Sequence, residues 1–437
     1  MKQLNIGLMG LGTVGGGTYA VLMRNADEIS RRTGYRINVV QVADRNVELA
    51  QSLTQGNIDV TADAFAVVNN PKVDVVVELI GGYTIAKELV LKAIENGKHV
   101  VTANKALLAV HGNEIFAAAQ KKKVIVAFEA AVAGGIPIIK ALREGLGANQ
   151  IEWVAGIING TTNFILTEMR EKGLAYQEVI GEAQRLGYAE ADPTFDVEGI
   201  DAAHKLTIMS AIAFGIPLRF KDAYTEGITK LQQTDIKYAE ELGYRVKLLG
   251  IAKRTGQGIE LRVHPTLIPD KRLVANVDGA MNAVVVKGDA VGPTLYYGAG
   301  AGAEPTASAV VADLLDIARL TGADFEQYVP YLGFQAEAVN DLPMLKIAEI
   351  NSAYYLRLRA SDKPGVLAEV AKILADRNIS IDGMVQKEPA DNETEADIVI
   401  LTHLTQEHNM DKAIASIEAL PAIVGSLVKL RVESLQK

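Results

Sequence analysis

Short apolar runs alternate with stretches of helical periodicity over roughly the first 130 residues of the chain. Because strands that alternate with helices form βαβ units, this region predicts a parallel sheet. The run VDVVVELI is apolar at nearly every position, which is typical of a strand buried on both faces. A helical stretch to about Arg32 follows the first strand. The predicted strands are Leu4–Met9, Ile37–Ala43, Val73–Ile80, His99–Thr102 and Val124–Phe128.

The pattern changes after about residue 131, where glycine-punctuated strands are mixed with helices such as Tyr176–Arg185 and Ile200–Phe214. This mixture predicts an α+β region as far as about residue 300. A strong helical period then covers Ala303–Thr321, and residues 336–350 are predicted to form a connector. The tail predicts the order βαββαβ: Tyr354–Ala360, a turn at 362–365, Val366–Asp376, Ile379–Met384, Asp397–His403, Met410–Leu420 and Ser426–Val432.

Composition narrows the class of protein. The 437 residues suggest about three domains, and 49% hydrophobic with 22% charged residues excludes a disordered chain. A net charge of -9 argues against nucleic acid as a partner. The absence of cysteine excludes disulfides, thiolate zinc sites and a cysteine nucleophile, and it fits a cytoplasmic protein. No apolar run is long enough to span a membrane, and the glycine-rich N-terminus is unlike a signal peptide.

The first predicted strand leads directly into the sequence GLGTVG at residues 10–15. Gly10 permits a tight turn, Gly12 lets a pyrophosphate approach the backbone, and Gly15 lets the helix pack close to the strand. The helix N-terminus then stabilises phosphate charge. A glycine-rich turn without a ligand is the alternative, but the position between a strand and a helix favours a dinucleotide site. The predicted cofactor contacts in this loop are Gly10, Gly12, Thr13, Val14 and Gly15.

The second predicted strand ends with Ala43, Asp44 and Arg45. An acid at this position usually binds the ribose hydroxyls of NAD, whereas an arginine accommodates the 2′-phosphate of NADP. Both residue types are present, so the cofactor is predicted to be NADP or NAD, with NADP favoured. The alternative for Arg45 is a solvent-facing loop residue.

An acidic segment at residues 187–205 carries five carboxylates followed by Lys205. If a helix begins near Glu198, then Glu198, Asp201 and Lys205 share one face. A solvated loop with a surface ion pair is the alternative interpretation. Phe195 and the other apolar residues of the segment favour packed carboxylates, which need a cationic partner such as a substrate ammonium.

Four motifs together carry a family resemblance: GKHVVTANKALLA at 97–109, NGTTNFIL at 159–166, the acidic segment at 187–205, and YYGAGAGAEPTASAV at 296–310. In this order they closely resemble homoserine dehydrogenase, and the last quarter resembles an ACT regulatory domain. The resemblance implies an α/β protein with an N-terminal Rossmann-type domain, a central α+β substrate and dimerisation domain, and a C-terminal βαββαβ ACT domain. The implied boundaries are 1–132 (completed by helix 303–321), 133–302, a return segment and linker at 322–350, and 351–437.

The resemblance implies interconversion of L-homoserine and L-aspartate 4-semialdehyde with NAD(P). It assigns Lys205, Lys105 and Asp201 to catalysis, with Lys205 exchanging the proton of the reacting oxygen. The implied substrate residues are Glu190, Asp196, Thr161 and Tyr188. The implied cofactor contacts add Lys105 and Gly302 to the glycine loop, Ala43 and Arg45. The implied monovalent cation site, for sodium, consists of Glu129, Val132, Gly134 and Ile136. His204 is predicted to be structural.

The resemblance also implies regulation and assembly. An effector amino acid, expected to be L-threonine, is placed near the turn at 362–365, facing Asn378 and Ile379 of a paired copy. A homodimer or homotetramer is expected, and a tail that serves only assembly is the alternative. The length predicts a single-function enzyme without a kinase domain. Two competing functions are a silent amino-acid sensor and another Rossmann oxidoreductase such as a diaminopimelate dehydrogenase.

Overall fold

The computed structural model of the chain describes residues 1–387 and 394–435. The predicted ACT range of 351–437 therefore includes two short stretches, 388–393 and 436–437, that lie outside the described residues. Among the helices of the described part, none combines the length and apolar character needed to cross a bilayer.

A six-stranded sheet organises the N-terminal part, with strand order β3-β2-β1-β4-β5-β6 and every neighbouring pair parallel. This is the predicted Rossmann-type arrangement. All four residues of Val75–Glu78 are buried, as its apolar sequence indicates. The elements are β1 (Lys2–Met9), α1 (Thr13–Arg24), α2 (Ala26–Thr33), β2 (Tyr35–Ala43), α3 (Val47–Leu53), β3 (Asp59–Thr61), α4 (Ala64–Asn69), β4 (Val75–Glu78), α5 (Thr84–Glu95), β5 (His99–Thr102), α6 (Lys105–Lys122) and β6 (Val126–Ala127).

Several strand ends differ from the sequence prediction by one or two residues, and two larger differences occur in this part. The first helical stretch is broken at Asn25, whose φ of -105° and ψ of 17° lie outside the helical range. Asparagine favours helix ends over helix interiors, which explains a break at this residue. The three-residue strand Asp59–Thr61 was not predicted because it contains no apolar run.

The central part continues with one long helix enclosed by a second sheet and by α6. Residues 201–214 of this helix, α11, are all buried. The helices Tyr176–Arg185 and Ile200–Phe214 have their predicted bounds. The elements are α7 (Ile138–Lys140), β7 (Ile151–Ile157), α8 (Gly160–Lys172), α9 (Tyr176–Arg185), α10 (Thr194–Val197), α11 (Ile200–Phe214), β8 (Tyr224–Thr225), α12 (Gln233–Glu241), β9 (Tyr244–Arg254), β10 (Ile259–Pro269), β11 (Met281–Gly288), β12 (Gly292–Ala299) and α13 (Ala303–Leu320).

Helix α13 returns to the N-terminal sheet. Its buried residues, including Val310 and Leu314, join the same apolar core as Ile6 and Leu8 of β1. The start of α13 lies against α1 at Gly17, where an added Cβ would stand 2.6 Å from the Ala303 carbonyl oxygen. This close approach explains a glycine at that position and brings the N-termini of two helices together.

The tail has the predicted order βαββαβ, with one additional two-residue strand. Its helices pack on one face of the sheet through a core that includes Tyr354, Val370 and Met410. The ACT resemblance is thus matched by the observed fold. The elements are β13 (Asn351–Ser361), α14 (Val366–Ala375), β14 (Ile381–Gln386), β15 (Glu395–Thr402), β16 (Thr405–Gln406), α15 (Glu407–Glu418) and β17 (Ile423–Val432).

The central and C-terminal parts share one sheet, in the order β12-β11-β7-β9-β10-β17-β13-β15-β14. The connection is a short parallel pairing of β10 with β17, at Thr266 with Arg431 and Leu267 with Val432. We call the contact between β10 and β17, with its surrounding side chains, the seam.

Buried ion pairs surround the seam. Arg431 is 2% exposed and donates to Glu407 of the tail and, at 2.8 Å, to Glu226 of the central part. Arg262 of β10 is equally buried and lies 2.5 Å from Glu433. On the neighbouring helix α12, the buried Asp235 accepts hydrogen bonds from Arg357 of β13. Charged groups from both parts therefore neutralise one another across the junction.

Candidate active site

The loop after β1 forms an open cradle at the N-terminus of α1. Gly10 has a φ of +91°, and an added Cβ on Gly15 would stand 1.9 Å from the Gly10 carbonyl oxygen. Only glycine fits these two positions. At Gly12, by contrast, an added Cβ would meet no atom of the described residues within 4 Å, apart from its chain neighbours. The helix, which begins at Thr13 and continues through Val14, has no side-chain cap and no acid in its first turn. Its free N–H groups and this open space fit a pyrophosphate.

The end of β2 borders this cradle. The Ala43 carbonyl accepts a hydrogen bond from the Gly10 amide at 2.8 Å. The Asp44 carboxylate accepts from the Leu11 amide at 2.6 Å and from the Asn46 amide at 2.8 Å. Arg45 is exposed, and its guanidinium makes no hydrogen bond or ion pair with the part of the chain that the structure describes. A free cation therefore stands at the predicted 2′-phosphate position.

A carboxylate that joins two lysines lies where the central part meets the N-terminal sheet. Lys205 of α11 donates at 2.7 Å to Asp201, one helical turn earlier, and at 2.7 Å to the Ile158 carbonyl at the end of β7. Lys105, the first residue of α6, lies 3.1 Å from the other oxygen of Asp201. The structure thus brings together the three residues that were assigned to catalysis.

Burial and charge shift the pKa values of this cluster in different directions. Burial lowers the pKa of Lys205, although Asp201 favours its ammonium form. Burial alone would raise the pKa of Asp201, but Lys205 and Lys105 lower it well below its usual range. Burial lowers the pKa of Lys105, but Asp201, Asp196 and Glu190 together outweigh it, so the pKa is raised overall. Lys205 is therefore the lysine that gives up a proton more readily.

Asp196 and Asn159 complete the cluster. The Asn159 side-chain amide donates to Asp196 at 2.7 Å and to Asp201 at 2.9 Å. Burial, followed by the charge of Asp201, raises the pKa of Asp196. Two carboxylates therefore lie on either side of one neutral donor. Sequence reasoning did not select Asn159; the only signal was its place at the start of NGTTNFIL.

The prediction that Glu198 shares a helix face with Asp201 and Lys205 is wrong. Glu198 follows the short helix α10, and Gly199 separates it from α11 with a φ of +80°. The Glu198 carboxylate accepts a hydrogen bond from Thr229 instead. The alternative of a surface ion pair is also wrong, because Asp201 and Lys205 are 3% and 9% exposed.

The other predicted substrate residues lie at the rim of the cluster. Thr161 donates to the Tyr188 carbonyl at 2.7 Å, and the Tyr188 ring packs on Phe164 with centroids 4.6 Å apart. Glu190 is exposed, and its charge contributes to the raised pKa of Lys105. The acidic segment therefore contributes the exposed Glu190 as well as the half-buried Asp196 and the buried Asp201.

His204 has no place in the cluster's hydrogen bonding. Its ring lies between Phe195 and Phe220, at centroid distances of 5.4 and 4.2 Å. Burial lowers its pKa to about 4, so the imidazole is neutral at pH 7. These contacts agree with the predicted structural role.

The predicted cation residues form a buried loop next to the chain that leads from β12 into α13. The Glu129 carboxylate accepts from the Ile139 and Lys140 amides at 2.9 and 2.8 Å. Gly134 has a φ of +50°, and an added Cβ would stand 2.6 Å from the Gly300 carbonyl oxygen. The Ile136 carbonyl accepts from Ile138 at 2.8 Å.

The possible cation ligands in this loop are oxygen atoms. The carbonyls of Val132 and Gly134 accept no hydrogen bond from any described residue. Within residues 1–387 and 394–435, no three side chains of His, Cys, Asp or Glu form a metal cluster. A transition-metal site is thus not found there, whereas free carbonyls and a buried carboxylate are suited to a hard cation.

Gly302 is the residue at which the chain enters α13. It precedes α13 with a φ of +123°, a conformation that favours glycine, and α13 has no side-chain cap at that end.

A second polar network lies in the residues just before Lys105 and fixes the start of α6. Thr102 donates to the buried Glu78 at 2.7 Å, and Asn104 caps α6 by accepting from the Leu107 amide. Sequence reasoning missed Glu78 because it sits at the end of an apolar strand.

Three family profiles match the chain. Homoserine dehydrogenase, NAD binding domain, matches residues 10–129, homoserine dehydrogenase matches 137–315, and the ACT domain matches 354–422. Two curated relatives with the name homoserine dehydrogenase are similar over the whole length. The one from Pseudomonas aeruginosa is 63% identical over 435 residues, and the one from Neisseria gonorrhoeae is 62% identical over 435 residues. Each comparison covers 100% of this chain and 100% of the relative.

Solved structures agree with these matches. The crystal structure of a homoserine dehydrogenase from Thiobacillus denitrificans is 66% identical with a TM-score of 0.95, and the match covers 100% of this chain and 99% of that chain. A hyperthermophilic archaeal homoserine dehydrogenase in complex with NADPH is 27% identical with a TM-score of 0.64. That match covers 74% of this chain and 99% of the archaeal one.

Proposed function

The chain belongs to the homoserine dehydrogenase family, and from that premise we propose how its residues interconvert L-homoserine and L-aspartate 4-semialdehyde. The enzyme is an NAD(P)-dependent oxidoreductase. The observation that carries the proposal is the buried carboxylate of Asp201 held between two lysines, at the edge of the N-terminal sheet. When bound, NAD(P) accepts a hydride from the substrate carbon or returns it.

Lys205 exchanges the proton of the reacting oxygen. An ammonium has three N–H donors, and Asp201 and the Ile158 carbonyl use two of them. The third is left for the substrate oxygen. In the oxidation of L-homoserine the neutral amine takes the hydroxyl proton, and in the reverse direction the ammonium returns it to the oxygen. The lowered pKa of Lys205 favours this exchange near neutral pH.

The neighbouring residues hold the two ends of the substrate. Glu190 and Asp196 supply negative charge for the substrate ammonium, while Thr161 and Tyr188 border the same space. Lys105 stands beside Asp201 at the N-terminus of α6, between the cluster and the cofactor cradle. Its permanent positive charge stabilises negative charge that develops on the substrate oxygen.

The cofactor occupies the cradle of Gly10, Gly12 and Gly15, with the 2′-phosphate of NADP on Arg45. The open space at Gly12 and the uncapped start of α1 support this placement. The archaeal relative, a complex with NADPH, supports NADP as a cofactor of this enzyme. Remaining contacts are Thr13, Val14, Ala43, Lys105 and Gly302.

A monovalent cation such as sodium is held by Glu129 and the carbonyls of Val132, Gly134 and Ile136. Two observations support this. The carbonyls of Val132 and Gly134 are free among the described residues, and burial raises the pKa of Glu129, so a bound cation would offset the cost of its charge. The loop also touches Gly300, which links cation binding to the start of α13.

The function is tested with the whole protein and a panel of amino acids. We expect L-homoserine to reduce NADP, whereas L-2-aminobutyrate, which has the same skeleton without the hydroxyl, gives no reduction. Formation of NADPH is followed by absorbance. An absence of reduction with every substrate would indicate a silent sensor, and preferential reduction with diaminopimelate would indicate a different Rossmann oxidoreductase.

The ACT domain suggests regulation by an amino acid, and we propose L-threonine as the effector. At the turn before α14, Gly365 has a φ of +96° and α14 has no side-chain cap, so backbone N–H groups are open to a carboxylate. Strands β14 and β12 form the two ends of the shared sheet, and Tyr297 of β12 is 59% exposed. These open edges support a homodimer or homotetramer, in which Asn378 and Ile379 of a second copy complete the effector site.

L-Threonine is expected to inhibit the enzyme, and L-valine, its isostere without a hydroxyl, is expected to inhibit much less. Threonine and homoserine are isomers, so competition at the active site must be separated from regulation. Asn378 has a φ of +56°, so Asn378→Gly removes the side chain without backbone strain. We expect initial rates of this variant to be normal without threonine and less inhibited with it. Unchanged inhibition would place threonine at the active site instead.

A further inference from the structure

Asn159 uses both ends of its side-chain amide. It is 4% exposed and lies between the end of β7 and the start of α8. Its oxygen accepts from the Thr162 amide at 2.8 Å and caps α8. Its nitrogen donates one hydrogen to Asp196 and the other to Asp201, at 2.7 and 2.9 Å. The side chain therefore has one fixed orientation.

The cap alone does not explain the residue type. Aspartate and serine cap helices about as well as asparagine does, since each offers an oxygen to the backbone. An aspartate here would place a third carboxylate against Asp196 and Asp201. A serine would have no donor that could reach both. Only asparagine caps the helix and also supplies two N–H donors to the carboxylates.

The bond to Asp201 fixes the centre of the cluster. One oxygen of Asp201 accepts from both Asn159 and Lys205, and the other faces Lys105. The residue before Asn159 contributes as well, because the Ile158 carbonyl accepts from Lys205 at 2.7 Å. Adjacent backbone and side-chain groups at the end of β7 thus hold both partners of the buried ion pair.

We propose that Asn159 is a positioning residue that fixes Asp201 between Lys205 and Lys105 and keeps Asp196 apart from it. The proposal rests on the proposed function, because it concerns the geometry of proton exchange at Lys205. Asn159 itself does not exchange a proton. It acts through Asp201. Its loss would leave Asp201, Lys205 and Lys105 in the protein but would no longer hold them in a fixed geometry.

The test uses Asn159→Asp and Asn159→Ser, which both retain an oxygen for the helix cap and remove the two donors. A misplacement of about 1 Å can cost roughly 100-fold in rate, so we expect kcat for L-homoserine oxidation to fall between about 10-fold and 100-fold. NADPH affinity should stay near that of the wild type in both variants, and both should keep a cooperative melting transition, with a lower melting temperature in Asn159→Asp because of its third carboxylate. Asn113→Asp is the matched control, since Asn113 lies on α6 outside the cluster and the change removes its side-chain donor to the Leu218 carbonyl.

The pH dependence of L-homoserine oxidation distinguishes a positioning role of Asn159 from a role as a helix cap alone. The charged and titratable groups that face Lys205 are Asp201 and His204 of α11, Lys105 of α6 and Asp196 of α10. An added carboxylate in Asn159→Asp favours the ammonium form of Lys205, so the rise of the oxidation rate with pH should move to higher pH. Asn159→Ser adds no charge and should lose kcat with a smaller shift.

Normal kcat and an unchanged pH limb in both variants would overturn the proposal and leave Asn159 as a helix cap. Loss of folding in both variants, seen as a lost melting transition, would also overturn it, because a cap-retaining change would then be structural. Failure of the proposed function is distinguishable, since the wild-type enzyme would then show no oxidation of L-homoserine at all.

Discussion

Replacement of Lys205 by methionine is expected to lower the turnover of L-homoserine oxidation by about 10²-fold or more, the usual contribution of a general acid or base. Methionine fills a similar volume without a proton to exchange. Asp201 keeps Lys105 as a partner in this variant, so its charge is not left unpaired. NADPH affinity, measured by fluorescence titration, should be close to that of the wild type because the cradle around Gly12 is untouched.

The pH dependence gives a second measurement of the same role. Oxidation needs the neutral amine, so the wild-type rate should rise with pH through the pKa of Lys205. Burial lowers that pKa from the usual value of a lysine, which moves the rise toward neutral pH. The Lys205→Met variant should lack this limb.

The matched control is Lys247→Met. Lys247 is 1% exposed and pairs with Asp278 at 3.0 Å, but it lies outside the cluster. Its loss should reduce thermal stability while turnover stays within a few-fold of normal. If Lys205→Met kept near-normal turnover at pH 7, the proton would have to move through another group and the assignment of Lys205 would fail.

A large loss of NADP affinity is expected for Arg45→Ala. A hydrogen bond to a charged group contributes about 1.5–3 kcal/mol, and each 1.4 kcal/mol is tenfold in affinity. The dissociation constant of NADPH should therefore rise by about 10-fold to 100-fold. NADH has no 2′-phosphate, so its affinity should change by less than about threefold. Asp44 remains bound to the glycine loop in this variant, which preserves the cradle.

Arg36→Ala is the control for this change. Arg36 is also exposed on the edge of β2 but lies at the start of that strand, away from the glycine loop. The Arg36→Ala change should leave the affinities for NADPH and NADH unchanged. Equal losses for NADPH and NADH in Arg45→Ala would mean that the guanidinium supports the loop in general and does not recognise the phosphate.

The periodicity of apolar residues and the positions of glycine and proline were sufficient to predict most of the fold. Ile200–Phe214 and His99–Thr102 have their predicted bounds, and the order of the tail follows from alternating apolar runs. Short strands such as Asp59–Thr61 were not predicted, because three residues on a sheet edge need no apolar run. The idea that α11 begins near Glu198 is wrong, because Gly199 separates Glu198 from it, and a glycine in the middle of an acidic run is a signal for such a break.

The site was only partly predictable for a different physical reason. Asp201 and Lys205 lie one helical turn apart, so their contact follows from local geometry. The contact of Lys105 with Asp201 joins α6 to α11, and Asn159 joins β7 to the acidic segment. Such contacts depend on how elements pack, which no local pattern encodes. The family resemblance supplied Lys105, but the role of Asn159 required the distances.

The seam has a consequence for folding cooperativity. Loss of residues beyond Ile350 would remove Glu433 from Arg262, which would keep Glu260, and would remove Arg357 from the buried Asp235. Breaking a buried pair by removing one partner, as at Asp235, costs about 3–5 kcal/mol. It would also leave one side of β10 without its neighbouring strand β17. The tail is therefore no detachable module. The central and C-terminal parts form one unit of unfolding, so a disturbance that loosens either part weakens the other.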